Sequence, residues 1–193
     1  MKGKRTDKEF ENFELKIVEQ PDLTVHHLKK PDSVIGNVKF INTNGIMAVT
    51  GDYGNWMFCR EFHPSADEYV SAGYWKEKLR TYSTQDGDEF SPEETRKQLL
   101  EEIDHGLVDY GYEDDELDAA KEFYTECLEY VDEKTDYVAF AYGPSKPSFL
   151  DYEEIPMVNV TTYRLLYVFD AFEEICRRVS EERKLAGVPE LEK

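Results

Sequence analysis

"VIGNVKFINTNGIMAVTGDYGNWMFCREF", residues 34–62, holds three short runs of β-branched and aromatic residues divided by two turn signals. The dividers are Asn42-Thr43-Asn44-Gly45 and Gly51-Asp52-Tyr53-Gly54-Asn55. Gly and Asn tolerate positive φ, which tight turns demand. The pattern predicts consecutive antiparallel strands over 34–42, 45–51 and 55–62. Upstream, "FELKIVEQ" (13–20) and "LTVHHLKK" (23–30) read the same way, bounded by Pro21-Asp22 and Pro31-Asp32-Ser33. The first third of the chain is thus expected to be a β-meander of about five strands.

After residue 64 the apolar period lengthens. "SADEYVSAGYWKEKLRTYS" (65–83) predicts a helix with Ser65 as N-cap and Glu68 completing a capping box. "TQDGDEF" reads as a loop. "SPEETRKQLLEEIDHG" (91–106) predicts a helix capped by Ser91, with Pro92 at its first position, Glu94 closing the box and Gly106 ending it. A third helix is expected from about Asp114 to about Glu133. Residues 136–143 suit a strand or a helical turn. A Pro-rich loop follows, then a long helix over 159–184. Its stripe of Leu165, Val168, Phe169, Phe172, Ile175, Cys176 and Val179 suits either a core or a dimer seam. The class is α+β: a single domain over 1–193, with a sheet at 12–63, three to four helices from 65–185 covering one of its faces, and a frayed tail at 186–193.

The 193 residues include 42 acids and 23 bases, a formal net charge of −19. Such a surface repels nucleic-acid phosphates and anionic membranes and attracts basic proteins. The cysteines Cys59, Cys127 and Cys176 are odd in number and widely separated, which fits free thiols in a reducing cytoplasm. The polar N-terminus lacks the apolar run of a secretory signal, and no stretch has the length of a membrane span.

Few residues suggest chemistry. Cys59 and His63 resemble a nucleophile and its base, yet four residues of strand separate them by about 13 Å. Cys59, beside Met57, reads instead as a small core side chain. The loop then becomes the displayed feature, with Asp52, Tyr53 and Trp56 as a contact surface. His26 and His27 point to opposite faces of a strand and cannot share a metal. "DYGYEDDELD" (109–118) is acid-rich but lacks the order of a calcium-binding loop. No phosphate-cradling glycine motif occurs. No metal or cofactor is expected.

The third helix carries the sharpest pattern. Asp115, Asp118, Glu122, Glu126, Glu129 and Glu133 follow one another at intervals of 3, 4, 4, 3 and 4, a single stripe of carboxylates. Leu117, Ala120, Tyr124, Cys127, Leu128 and Val131 fall on the opposite, core-facing side. From Glu101 to Asp136 there are 15 acids against Lys121 and Lys134. A solvated face of any acidic protein carries acids, and that plain reading stands beside a functional one. The functional reading is mimicry of a nucleic-acid backbone: at ~1.5 Å per residue the stripe sets a carboxylate every ~5 to 6 Å.

"GIMAVTGDYGNWMFCREFHPS" followed by "YVSAGYWKEKLRTYSTQD" resembles uncharacterised proteins encoded by bacteriophages, prophages and other mobile elements, over roughly residues 35–185. That resemblance carries no catalytic residue. It implies an accessory protein in the cytoplasm of a bacterial host. In size and charge the chain also resembles anti-CRISPR inhibitors. The expected function is a non-enzymatic inhibitor that binds a basic host protein, such as a CRISPR nuclease or another DNA-binding protein. Two other readings remain: a ligand-binding protein or enzyme using Asp52, Tyr53, Cys59, Arg60 and His63, and a homodimeric assembly protein.

Overall fold

A computed structural model describes residues 9–67, 70–80 and 87–186. Glu68, residues 81–86 of the expected helix and loop, and residues 187–193 of the expected tail lie outside them. The chain divides into two compact units: Met1–Gly87 with Thr161–Lys193, and Asp88–Val160.

In the first unit, β1 (Glu14–Gln20), β2 (Leu23–Lys29), β3 (Asn37–Thr43), β4 (Ile46–Gly51) and β5 (Trp56–Phe58) form one antiparallel sheet in sequence order. This is the expected meander. Asn44 and Gly45 take φ of 50° and 80° at the β3–β4 turn, as the Asn-Gly signal requires. At Gly51, φ is 143° and an added Cβ would fall 1.9 Å from the Asn37 carbonyl oxygen. Only glycine lets the two strands close there.

Period-2 alternation sends Leu28, Val38, Phe40, Met47, Val49, Trp56 and Phe58 to one face. α6 (Tyr163–Leu185) covers that face with Leu165, Val168, Phe169, Phe172, Ile175 and Cys176. The stripe read as a core or a dimer seam is buried within its own unit. The Phe172 ring lies 4.6 Å from those of Phe40 and Phe62 and stacks on Trp75 at 4.8 Å. A buried amide ties this core to the chain beyond β5. Asn42 donates to the Phe62 carbonyl (2.6 Å) and accepts from its N–H (2.9 Å), which replaces a missing strand partner.

Several local expectations are corrected. β5 ends at Phe58 rather than 62, because Cys59 N–H bonds to Lys78 O and Arg80 N–H to Met57 O. The helix expected at 65–83 is instead α1 (Pro64–Asp67) and α2 (Ala72–Lys78), and the cap of α2 is Ser71, whose Oγ accepts the Tyr74 N–H. Buried Asp67 turns inward to Arg60 and the His63 N–H, and the run is broken at Val70 and at Ser71, whose backbone is extended.

The second unit contains β6 (Asp88–Phe90), α3 (Pro92–Asp104), a 3-10 turn (Gly106–Tyr110), α4 (Asp114–Tyr130) and α5 (Lys134–Ala141). β7 (Asn159–Thr161) pairs with β6, so "DEF" is a strand, not loop, and the terminal helix starts after β7 rather than at 159. Of residues 136–143, 136–141 belong to a helix and Tyr142 is its C-cap. Ser91 caps α3 as expected, but Glu94 cannot close a box, since the Ser91 N–H is given to Val158 O. α3, α4 and α5 bury Leu99, Ala120, Tyr124, Cys127, Val131 and Tyr137 in a separate cluster of their own. Tyrosine hydroxyls hold the Pro-rich loop: Tyr124 donates to Glu154 O (2.9 Å), Tyr137 to Pro156 O and Tyr142 to Ile155 O (3.4 Å).

No helix among the described residues is long and apolar enough to cross a membrane.

Candidate functional site

α4 begins with a reciprocal cap: the Glu113 side chain accepts the N–H of Glu116, and the Glu116 side chain accepts that of Glu113. Acids in the first turn suit the positive end of the helix dipole. The apolar spacing then chooses the buried face. Ala120, Tyr124, Cys127 and Val131 are fully buried, with Leu117 and Leu128 packed against them, as expected. Burial also pushes the Cys127 thiol up to about 12, which leaves it inert.

The opposite face presents Asp115, Asp118, Glu122, Glu126 and Glu129, all exposed. None of the five forms an ion pair among the described residues. They extend over about 21 Å at ~1.5 Å per residue. Glu133, the expected sixth member, is off the helix. α4 ends at Tyr130, and Glu133 is the extended N-cap of α5, with φ −119° and ψ 118°. The turn that buries Val131 and then Tyr137 removes it from the row.

This row is costly to its own helix. Asp118, Glu122 and Glu126 repel at i,i+4. Glu126 and Glu129 stand near the negative end of the dipole, and no basic residue lies in the last turn.

The hairpin loop is internal hardware. The Asp52 carboxylate accepts the Asn37 N–H (2.8 Å) while its own N–H donates to Asn37 O (3.0 Å), clamping the ends of β3 and β4. The half-buried Tyr53 ring stacks on Tyr167 of α6 at 3.5 Å. Trp56 is only 3% exposed, and its indole N–H donates to Tyr53 O. It therefore offers no anchor to a partner, contrary to expectation. The alternation along β5 is also the reverse of the one expected for Cys59. Trp56 and Phe58 take the core face because burying two large aromatics outweighs burying Met and Cys. Met57 and Cys59 face outward.

The proposed ligand set does not assemble. Arg60 is paired with buried Asp67 at 2.5 Å and lies over the rings of Tyr74 and Trp75. No hydrogen bond joins Cys59 to His63, which sits 3.6 Å from Glu61. A cavity lined by Phe62, Asp67, Trp75, Phe172 and Glu173 is about 20 Å³, room for one water. His26 is buried and His27 is half-exposed on the other face, as alternation requires. Among the described residues no three His, Cys, Asp or Glu are gathered for a metal.

Compared with protein-family models, curated proteins and solved structures, the chain matches none.

Proposed function

We propose that the chain is a non-enzymatic binding protein that occupies the nucleic-acid groove of a basic host protein, as a phage-type inhibitor acting by DNA mimicry. The observation that carries this reading is the row of five exposed, unpaired carboxylates on α4. Beyond Asp115 in the first turn the helix gains nothing from them, and a groove shaped for phosphates attracts them. The mimicry is electrostatic, so binding weakens steeply with salt.

The test compares the wild-type chain with D118N/E122Q/E126Q/E129Q as bait in bacterial lysate at low salt. The expected result is a basic DNA-binding protein retained by the wild type, released by salt and lost with the variant. That protein should also lose its DNA, read by fluorescence anisotropy, when the wild-type chain is added. Equal capture by both baits, or a partner that keeps its DNA, overturns the reading.

A further inference from the structure

The face of the sheet turned away from α6 has the opposite character to α4. Cross-strand register fixes which residues share it. Val18 pairs with Val25, Val25 with Ile41, Ile41 with Ala48 and Ala48 with Met57. These five aliphatic side chains form one row across all five strands, about 19 Å long at ~4.8 Å per strand. None of them joins either buried cluster, and Val18 and Met57 are 38% and 45% exposed.

A second row runs beside it, about 7 Å along the strands: Lys16 pairs with His27 and His27 with Lys39. Lys29 continues the basic patch one step further. Lys16, Lys29 and Lys39 form no ion pair among the described residues, although acids outnumber bases 42 to 23 in the chain. Glu14, at a corner, is the sole acid among the strand residues on this face. The His27 imidazole registers the patch. Burial lowers its pKa first, and Lys39, Lys29 and Lys16 lower it further, against a hydrogen bond to Asn37.

We propose that this outer sheet face docks an acidic amphipathic helix of a partner protein. A helix laid across the strands advances about 5.4 Å per turn, close to the ~4.8 Å strand spacing, so one apolar residue per turn meets one member of the row. Carboxylates seven residues apart on its flank stand about 10 Å apart, as do Lys16 and Lys39 two strands apart. Single-stranded nucleic acid is the poorer fit. The described strand residues of this face include no Phe, Tyr or Trp for bases to stack on, and the net charge of −19 opposes a polyanion. A second copy offering α4 is poorer too, since the apolar side of α4 is already buried. This surface is independent of the carboxylate row.

The test titrates isotope-labelled full-length chain with a designed peptide of Leu at helical spacing and Glu on one flank. The comparison probes are the same peptide with Lys for Glu, and oligo-dT. The expected result is saturable binding of the acidic peptide, with NMR shifts at Val25, Lys39, Ile41 and Ala48. Binding should weaken about tenfold or more in K16E/K39E, a surface change that spares the core, and in I41D. D118N/E122Q/E126Q/E129Q should bind the peptide as the wild type does, which separates this site from the α4 reading. No binding of the acidic peptide, binding indifferent to K16E/K39E, preference for the Lys peptide or oligo-dT, or shifts that appear only on self-association would each overturn the proposal.

Discussion

His26 sits among apolar neighbours of the sheet core, its ring 5.5 Å from that of Phe62, and its Nδ1 has no hydrogen-bond partner. Burial, with the charge of His63 adding to it, lowers its pKa from 6.5 to about 4. Between those two values the unfolded chain takes up a proton that the folded chain refuses. Stability is therefore complete above pH 6.5, falls as the pH drops, and has lost about 3 kcal/mol from this group once below pH 4. His26→Leu removes no hydrogen bond at Nδ1 and abolishes that term. Urea unfolding at pH 7 and pH 4.5 should show a smaller acid loss for His26→Leu than for the wild type. Equal losses would assign acid sensitivity to other groups. Glu174 contributes in the same direction at lower pH. Burial alone would raise its pKa, but hydrogen bonds from Arg177 and Arg178 overcome that and hold it below the ordinary carboxylate range.

At the scale of the element, α4 shows what its charge costs. Two i,i+4 repulsions, further i,i+3 neighbours and two acids near the C-terminal end each oppose the helix by a few tenths of a kcal/mol. D118N/E122Q/E126Q/E129Q should therefore raise stability by about 1 kcal/mol at low salt, with the gain shrinking as salt screens the wild type. Thermal unfolding at two ionic strengths measures this. A loss of stability would mean that the carboxylates support the fold after all, and the argument for a partner would lose its footing. β5 illustrates the reverse relation. Its pattern of alternate residues was plain, but which alternate set turned inward depended on what α6 brought against it.

At the scale of the whole molecule, the described residues form two cores. Phe172 and its neighbours centre one, and Leu99, Tyr124 and Tyr137 the other. Emptying each core should act locally. Ile175→Ala and Leu99→Ala should each cost about 2 to 5 kcal/mol. In hydrogen exchange, Ile175→Ala should lower protection in β2 to β4 and α6, and Leu99→Ala in α3 to α5. Loss of protection throughout the chain in both variants would show a single cooperative unit instead.

The sequence by itself determined the passage from sheet to helices, the five-stranded meander, the Asn44-Gly45 turn, the Ser91 cap and the buried side of α4. These depend on neighbours a few residues apart: φ at a turn, a cap within one helical turn, a period of 2.0 or 3.6. Five members of the carboxylate row were legible for the same reason. Glu133 was not, because the turn that removes it serves the burial of Val131 and Tyr137. The rest belongs to tertiary structure. Trp56 reads as an interface anchor until α6 covers it, Arg60 as a free cation until Asp67 meets it, and Ser65 as a cap until α1 begins at Pro64 and takes it inside. Lys16, Lys39, Val18, Ile41 and Met57 are scattered along the chain, and only strand register sets them side by side. Long-range pairing decides which face is inside and which groups meet, and no local period encodes it.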